Sequence, residues 1–257
     1  MFDLNALESA LSGTVFAGKL HYAAVTASTN ADALQAAAAG AADGAVFFAD
    51  EQTSGRGRAD HRWESAAGQG LYVSVLLRPQ LPPVRLPLLP LAAGLATGSA
   101  VQAVCGLRAD LRWPNDVLIG PRKVAGILVE ARSEGAGRGA VAVGIGINVH
   151  QREFAPALST PATSLDLESG RSLSRQELLL KLLKSLQAEV ALLENGSEEI
   201  PRRVAEASSW IEGRRVEVHG PQACCGVTAG LDPHGFLQVL TASGLVVVQT
   251  GGIRALA

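Results

Sequence analysis

Lys123-Val124-Ala125-Gly126-Ile127-Leu128-Val129-Glu130 is a nearly continuous apolar run led by a lysine. Its length and branched residues predict a strand over 124–131. A lysine at such a strand end is ordinarily a solvated gatekeeper. Gly126 is more informative, because a glycine inside a strand removes a side chain where a ligand or another backbone can come close. A second segment, Gly144-Ile145-Gly146-Ile147-Asn148, lies within a predicted strand over 140–149. Strand residues alternate between faces, so its isoleucines give one face bulk and its glycines leave the other bare. A sheet packed tightly against a helix would use the same pattern. Asn148 at its end can donate and accept to a phosphate or a sugar.

Upstream, Arg112-Trp113-Pro114-Asn115-Asp116 lies between predicted strands over 109–113 and 117–119. Pro114 keeps Trp113 out of the helical region and ends the first strand. Asn115 and Asp116 then sit at a turn, for which an ordinary Asx turn is sufficient. Arg112 adds a cation at the same strand end. Helices flank this β-rich middle. Leu88 to Cys105 reads as a buried helix. Leu173 to Leu193 carries apolar residues at 178, 179, 182, 183, 186, 190 and 193, one helical face. Another helix is predicted over 198–208.

Towards the N-terminus, a helix over 3–11 and a strand over 19–25 precede Ser28-Thr29-Asn30. These open an Ala-rich helix that Gly40 should stop. N-capping accounts for Ser28 and Thr29, though the same groups can bind a small polar ligand. Strands over 45–49 and 71–77 bracket a polar, glycine-rich loop, Asp50 to Gly70, long enough to suggest a function. Within it, Gln52-Thr53-Ser54-Gly55-Arg56-Gly57-Arg58 combines two arginines with glycines, which allow positive φ and close ligand approach. In an extended chain Arg56 and Arg58 project to one side, a fork for carboxylate or phosphate. A solvated Gly/Arg turn is the plainer account. Trp63 can cover a ligand, stack on a base or serve as a core aromatic. Beyond Trp210 short strands over 214–218, 225–229, 236–239 and 246–249 alternate with Gly, Pro and Asp turns. The expected fold is α+β: a mixed β-sheet domain over 1–210 with helices packed on it, then a small β-barrel over 211–257.

The 257 residues carry 22 Lys and Arg against 24 Asp and Glu, with 47% apolar and 18% charged residues. That composition excludes a disordered or acidic-tail protein. The net charge of −2 disfavours non-specific binding to nucleic acid or membrane surfaces. Cys105, Cys224 and Cys225 suit neither a disulfide framework nor a metal cluster, so no protein-held metal is expected. The start lacks a basic, apolar leader. The most apolar tract, Leu86 to Gly98, is broken by Pro87 and Pro90 and is shorter than the roughly 18 residues of a membrane span. A soluble, cytoplasmic protein is expected.

Taken in order, Ser28–Asn30, Glu51–Arg58 with Trp63 five residues on, Arg112–Val117, Lys123–Glu130 and Gly144–Val149 resemble the motif series of the biotin–protein ligases (biotin–[acetyl-CoA-carboxylase] ligases). Arg112–Asp116 followed by Lys123–Glu130 is the most specific part. The closing short strands resemble that family's small SH3-like domain, so the resemblance spans almost the whole chain. It implies a catalytic domain of the class II synthetase and biotin–lipoate ligase type. It implies that biotin and ATP react, with Mg2+, to biotinyl-5′-AMP, and that biotin then passes to a lysine of a biotin carboxyl carrier protein. Ser28, Thr29, Asn30, Gln52, Gly55, Arg56, Gly57, Arg58, Lys123 and Gly126 are then implied to bind biotin. Arg58, Trp63, Arg112, Asn115, Lys123 and Asn148 are implied to meet the nucleotide. Lys123, Arg56, Arg58 and Arg112 would offset the repulsion between a carboxylate and an α-phosphate. Asp116 would orient the acceptor lysine or accept its proton.

The chain departs from the family pattern at three places. Arg112 stands where Lys is usual, and keeps the charge but cannot lose its proton. Ala59 and Asp60 thin the positive charge after Arg58. Gly252 replaces a commonly acidic residue, which weakens the case for a contact from the last domain to the nucleotide. Some members carry a DNA-binding helix-turn-helix module. Fewer than 30 residues precede Ser28, so neither nucleic acid nor a membrane is an expected partner, while a homodimer stays open. Lipoate or octanoate transfer on a similar fold is the alternative activity, and a biotin-responsive repressor a disfavoured one.

Overall fold

A computed structural model describes residues 2–58, 61–132, 139–155, 160–196 and 198–256. Ala59, within the departure noted after Arg58, and Asp60 lie outside the described residues. In chain order the elements are α1 (Leu4–Ala10), β1 (Leu20–Thr26), α2 (Thr29–Ala38), β2 (Ala45–Gln52), β3 (Gly70–Leu77), α3 (Leu89–Cys105), β4 (Asp110–Arg112), β5 (Asp116–Ile119), β6 (Arg122–Arg132) and β7 (Ala140–Asn148). There follow α4 (Leu165–Ser169), α5 (Arg175–Glu194), α6 (Glu199–Glu206), β8 (Glu212–His219), β9 (Cys224–Leu231), β10 (Leu237–Thr241), β11 (Gly244–Val248) and β12 (Gly252–Ala255).

Seven strands form one sheet in the order β1-β2-β3-β7-β6-β5-β4. The β1–β2 pair is parallel and the others are antiparallel, so the sheet is mixed as expected. Its two faces differ sharply in bulk. Val73 and Val75 of β3 and Val141, Val143, Ile145 and Ile147 of β7 enter the main core with α3 and α5. The apolar stripe of α5, including Leu178, Leu179, Leu182, Leu183 and Leu186, is buried there. Each such leucine contributes roughly 1.5–3 kcal/mol by leaving water. The opposite face carries Ser74 and Leu76 of β3 with Ala140, Ala142, Gly144 and Gly146 of β7. Helix α2 covers one end of it through Ala33 and Ala37 against Ala45, Leu76, Ala140 and Ala142. The other end of this thin face is free for a site.

The last five strands form a second, antiparallel sheet in the order β11-β10-β9-β8-β12. Val216, Val218, Leu237, Val239, Val248 and Ile253 bury their side chains in the same core as the first sheet's helices. Trp113 Nε1 also donates to Gly235 O at 3.0 Å.

Several expectations need correction. Strand β12 and helix α4 were not anticipated. The first is four residues behind paired glycines, and the second is only five residues long. The segment before α3, for which no element was expected, is a 3-10 helix, Pro83–Leu88, with Pro87 inside it. It extends the helical stretch to Pro83–Cys105, 23 residues, long and apolar enough to span a membrane by length and composition. In this fold 61% of its most apolar 18-residue window is buried within the protein, which is what a core helix requires.

Candidate active site

A cavity of about 1000 Å3 opens over the thin end of the large sheet. Direct register pairs place Gly126 opposite Gly146, Leu128 opposite Gly144, Ser74 opposite Gly144 and Asp116 opposite Gly126. Opposed residues share a face, so these strands present one floor. The glycines there make room for specific side chains. A Cβ on Gly144 would lie 2.3 Å from Asn30 Oδ1, and one on Gly146 2.5 Å from Trp63 Nε1. A Cβ on Gly126 would stand 3.0 Å from the Trp63 ring and 3.2 Å from Lys123 Nζ. The bare face read from the sequence therefore seats Asn30 and the Trp63 indole. Trp63 Nε1 is buried against Gly146 with no hydrogen-bond partner.

One end of the cavity is a wall of neutral polar groups. Ser28 caps α2, its side chain accepting from Ala31 N, which points the first turn of that helix at the sheet. Thr29 N donates to Gln52 Oε1 at 2.9 Å, and Thr29 Oγ1 lies 2.7 Å from Ser74 Oγ. Ser74 donates to Asn30 Oδ1 at 2.6 Å. Asn30 Nδ2 donates to Glu130 Oε2 at 2.7 Å and Leu128 O at 3.2 Å. Gln52 Nε2 donates to Ser65 Oγ at 2.8 Å. Ser28, Thr29, Asn30, Ser65 and Ser74 are all buried.

The other end is charged. Lys123 Nζ lies 2.5 Å from Asp116 Oδ1. Arg112 holds the other carboxylate oxygen through Nε at 3.2 Å and Nη2 at 2.5 Å. Arg112 Nη2 also donates to Thr160 Oγ1 at 2.7 Å, and its guanidinium lies 5.3 Å from the Trp210 ring. Burial by itself would raise the Asp116 carboxyl, but Lys123 and Arg112 outweigh it and hold the group below its ordinary value. Lys123 also sits 5.3 Å from the Trp63 ring, a cation over a π face.

The glycine-rich loop folds back on itself through bridges Gln52–Ser65 and Arg56–Arg62. This overturns three expectations. Arg56 and Arg58 form no common fork, because the chain bends after the bridge at Arg56. Arg56 pairs with Glu130 at 3.1 Å and is half exposed. Arg58 turns inward, donating to Asn115 Oδ1 at 3.3 Å and Gly251 O at 2.8 Å. Burial pushes its guanidinium below its ordinary value, with Asp116 opposing that shift. Gly55 and Gly57 do not adopt positive φ. A Cβ on Gly55 would lie 2.4 Å from Trp63 O, so hairpin closure requires that glycine. Gly55 lies outside the cavity lining, whereas Gly57 is in it. Nor is there an Asx turn at Asn115. Its amide donates to Ile127 O at 2.7 Å, and Asp116 begins β5 after a cis Trp113–Pro114 bond.

The cavity is also lined by Ser28, Thr29, Asn30, Gln52, Arg56, Arg58, Trp63, Arg112, Asn115, Asp116, Lys123, Gly126 and Asn148. Of the residues expected from the sequence, Gly55 alone is left out. Asn148 is held by Thr163 O at 3.0 Å and Gln151 Nε2 at 3.3 Å. The second sheet does reach the site: His219, Pro221, Gly251 and Arg254 contribute to the lining, despite Gly252. Ser65, Ser74, Glu130 and Thr160 were missed. Ser74 carried a readable signal, a hydroxyl inside the otherwise apolar strand Leu71–Leu77. The others meet the site only through partners distant in sequence.

Residues 22–148 match the model of the Biotin/lipoate A/B protein ligase family. The chain is 37% identical over 243 residues to the biotin–[acetyl-CoA-carboxylase] ligase of Mycobacterium tuberculosis, an alignment covering 91% of this chain and 88% of that one. It is 37% identical over 175 residues to the bifunctional ligase/repressor of Bacillus subtilis, and there it spans only 54% of the relative's length. Among solved structures, the biotin protein ligase of Aquifex aeolicus in complex with biotin and ATP superposes with a TM-score of 0.80 at 30% identity, covering 92% of this chain and 98% of that one. A thin glycine-floored sheet face bearing these motifs in this order thus has a place among known proteins: the chain belongs to the biotin protein ligase family.

Proposed function

We propose that the protein ligates biotin to a lysine of a biotin carboxyl carrier protein, with ATP, through biotinyl-5′-AMP. The observation that carries this reading is the polarity of the cavity: an uncharged hydrogen-bonding wall at one end and cations gathered on Asp116 at the other. A ureido ring is uncharged and has both donors and acceptors, which the wall built from Ser28, Thr29, Asn30 and Gln52 can match. A lipoyl dithiolane has neither donors nor acceptors to offer that wall and would gain none of the hydrogen bonds, worth about 0.5–1.5 kcal/mol each, that a ureido ring can make. Biotin therefore suits the wall better than lipoate or octanoate. The named relatives and the biotin- and ATP-bound structure of the Aquifex protein support the same substrates.

In this reading a carboxylate oxygen of biotin forms a bond to the α-phosphorus while the bond to pyrophosphate breaks. Lys123 meets the carboxylate and the bridging oxygen, and Arg58 the phosphoryl group, where negative charge gathers. Trp63 and Asn148 line the nucleotide's place. In the second step the acceptor amine bonds to the acyl carbon, the acyl–oxygen bond breaks, AMP leaves and the amine proton passes to solvent. Asp116 orients Lys123 in both steps. Its two oxygens are held by cations and its carboxyl is kept ionised, so it is a poor proton acceptor. Arg112 serves as a charge partner to Asp116. Among the described residues no group of three or more His, Cys, Asp or Glu side chains could hold an ion. We therefore assign Mg2+ to the phosphates of the incoming nucleotide, its usual site in such reactions. The second sheet, read as a small SH3-like domain over 211–257, closes one side of the cavity.

The test is direct. The protein is incubated with biotin, ATP, Mg2+ and a carrier domain, and the mass of the carrier is measured. A gain of one biotinyl group is expected. An unmodified carrier, or faster modification with lipoate, would overturn the reading.

A further inference from the structure

The polar wall has a direction, and it starts at two acceptors, Glu130 and Leu128 O. A carboxylate only accepts hydrogen bonds. Asn30 approaches Glu130 Oε2 and Leu128 O, both acceptors, so both contacts must come from its NH2 group. Asn30 Oδ1 therefore faces Ser74, and the single Ser74 proton goes to it. With that proton committed, the one Thr29 Oγ1 proton serves the 2.7 Å contact to Ser74 Oγ, with Gln52 Oε1 a second, longer acceptor at 3.1 Å. Gln52 is set separately: the backbone N–H of Thr29 requires its Oε1, so its NH2 faces Ser65. Glu130 and Leu128 O thus fix the direction of hydrogen bonding from Asn30 through Ser74 to Thr29.

The same carboxylate is also the anchor of the glycine-rich loop. Arg56 Nη2 lies 3.1 Å from both of its oxygens. Glu130 is three-quarters buried on the inner side of this pair, whereas Arg56 is half exposed on the outer side. We propose that Glu130 is a positioning residue that couples closure of the Arg56 loop to the orientation of the biotin-binding wall. The coupling rests on the reading of that wall as a biotin site, but its loop half is measurable without biotin.

Glu130→Gln keeps the shape and removes the charge. Its carboxamide offers Asn30 and Arg56 a neutral acceptor in place of the shared carboxylate, so Asn30 keeps Leu128 O but loses its shorter, charged contact. Four proteins are compared by calorimetric biotin titration: wild type, Glu130→Gln, Arg56→Gln and the double variant. Glu130→Gln is expected to weaken biotin binding about tenfold, as for loss of a charged hydrogen bond. The double variant should be no more than about twofold weaker than the worse single, because the two residues act as one unit. In parallel, trypsin cleavage after Arg58 is followed in the ligand-free proteins. It should rise at least about threefold in Glu130→Gln, in Arg56→Gln and also in Asn30→Ala, since a loosened partner at either side frees the loop. Should Glu130→Gln melt early, Arg56→Gln and Asn30→Ala carry the comparison from the two sides of the pair. Multiplying losses in the double variant, or cleavage unchanged in Asn30→Ala, would overturn the coupling. A wild type that binds no biotin while all three single variants are cleaved faster would end the biotin reading and support the coupling.

Discussion

The two ends of the cavity stand on one sheet face and treat polarity in opposite ways. At the wall, Thr29, Asn30, Gln52, Ser65 and Ser74 are neutral and satisfy one another. Neutral groups lose little on burial when each donor has its acceptor. At the far end, Lys123 and Arg112 are charged and both pair with Asp116, the anion between them. Burying an ion is costly unless it is paired and hydrogen-bonded. The wall is thus suited to selecting an uncharged ring, and the far end to handling charge that moves during a reaction. Substitutions at the two ends should therefore fail differently.

The largest effect is expected at the charged end, in stability. Asp116→Asn leaves Lys123 and Arg112 facing each other with no anion between them. Removing one partner of a buried pair costs about 3–5 kcal/mol, and the partly exposed Lys123 can turn outward, so about 3 kcal/mol is expected. That is a Tm fall of roughly 6–12 °C at pH 7. The loss has a definite pH sign. The folded carboxyl is held below its ordinary value. Its stabilisation is therefore full above the unfolded value of about 3.9 and is lost as pH falls through the lower folded value. The Tm gap between wild type and Asp116→Asn should narrow from pH 7 to pH 3. A gap that does not change with pH would mean the carboxylate is not the group that matters.

Lys123→Ala separates chemistry from stability at the same end. Arg112 still pairs Asp116 in this variant, so the ligand-free Tm should fall by only a few degrees. Loss of a preorganised cation at the reacting oxygens costs ~3–4 kcal/mol, or about 10²–10³ in rate. Biotin-dependent pyrophosphate release without acceptor is the measurement. A rate within a fewfold of wild type would make Lys123 an ordinary strand-end lysine.

At the neutral end the expected failure is steric. Gly144→Ala places a methyl 2.3 Å from Asn30 Oδ1, on a backbone that cannot yield without moving the sheet. Overpacking of this kind costs about 1–3 kcal/mol. Biotin affinity should fall with it, because Asn30 must leave Ser74. Unchanged affinity alongside a lowered Tm would show that the wall does not read the ligand.

How much of this contrast the sequence carried depends on distance along the chain. Strands 71–77, 124–131 and 140–149 lie within about two residues of their observed bounds, because alternation and branching are local signals. The glycine pattern at 126, 144 and 146 was legible as a bare face, but not what fills it. The partners that decide the site are remote. Arg58 finds Gly251 O across 193 residues, and Asn30 finds Glu130 across 100. The expected Arg56–Arg58 fork failed for the same reason: it assumed an extended chain, while the bridge Arg56–Arg62 bends it. Lys123 and Asp116 were picked out singly by motif. Their pairing, and the clamp by Arg112, appear only in the fold.

The smallest expected effect is at Arg112, and it tests whether the charged end needs a guanidinium or only a charge. Family members usually carry Lys at this position. The guanidinium here does three things at once: it grips Asp116 Oδ2 with two nitrogens, donates to Thr160 Oγ1, and lies against the Trp210 ring. An ammonium is a compact point charge that can keep the Asp116 contact, but not the fork or the stacking. Arg112→Lys should therefore retain the pairing and lose the auxiliary contacts, about 1 kcal/mol in total. For a chain of this size the Tm should drop by roughly 2–4 °C. Because Asp116 stays ionised and still holds Lys123, pyrophosphate release should remain within about threefold of wild type. A hundredfold loss of rate at an unchanged Tm would mean that Arg112 itself meets the phosphates, and that its grip on Asp116 is released when the nucleotide enters.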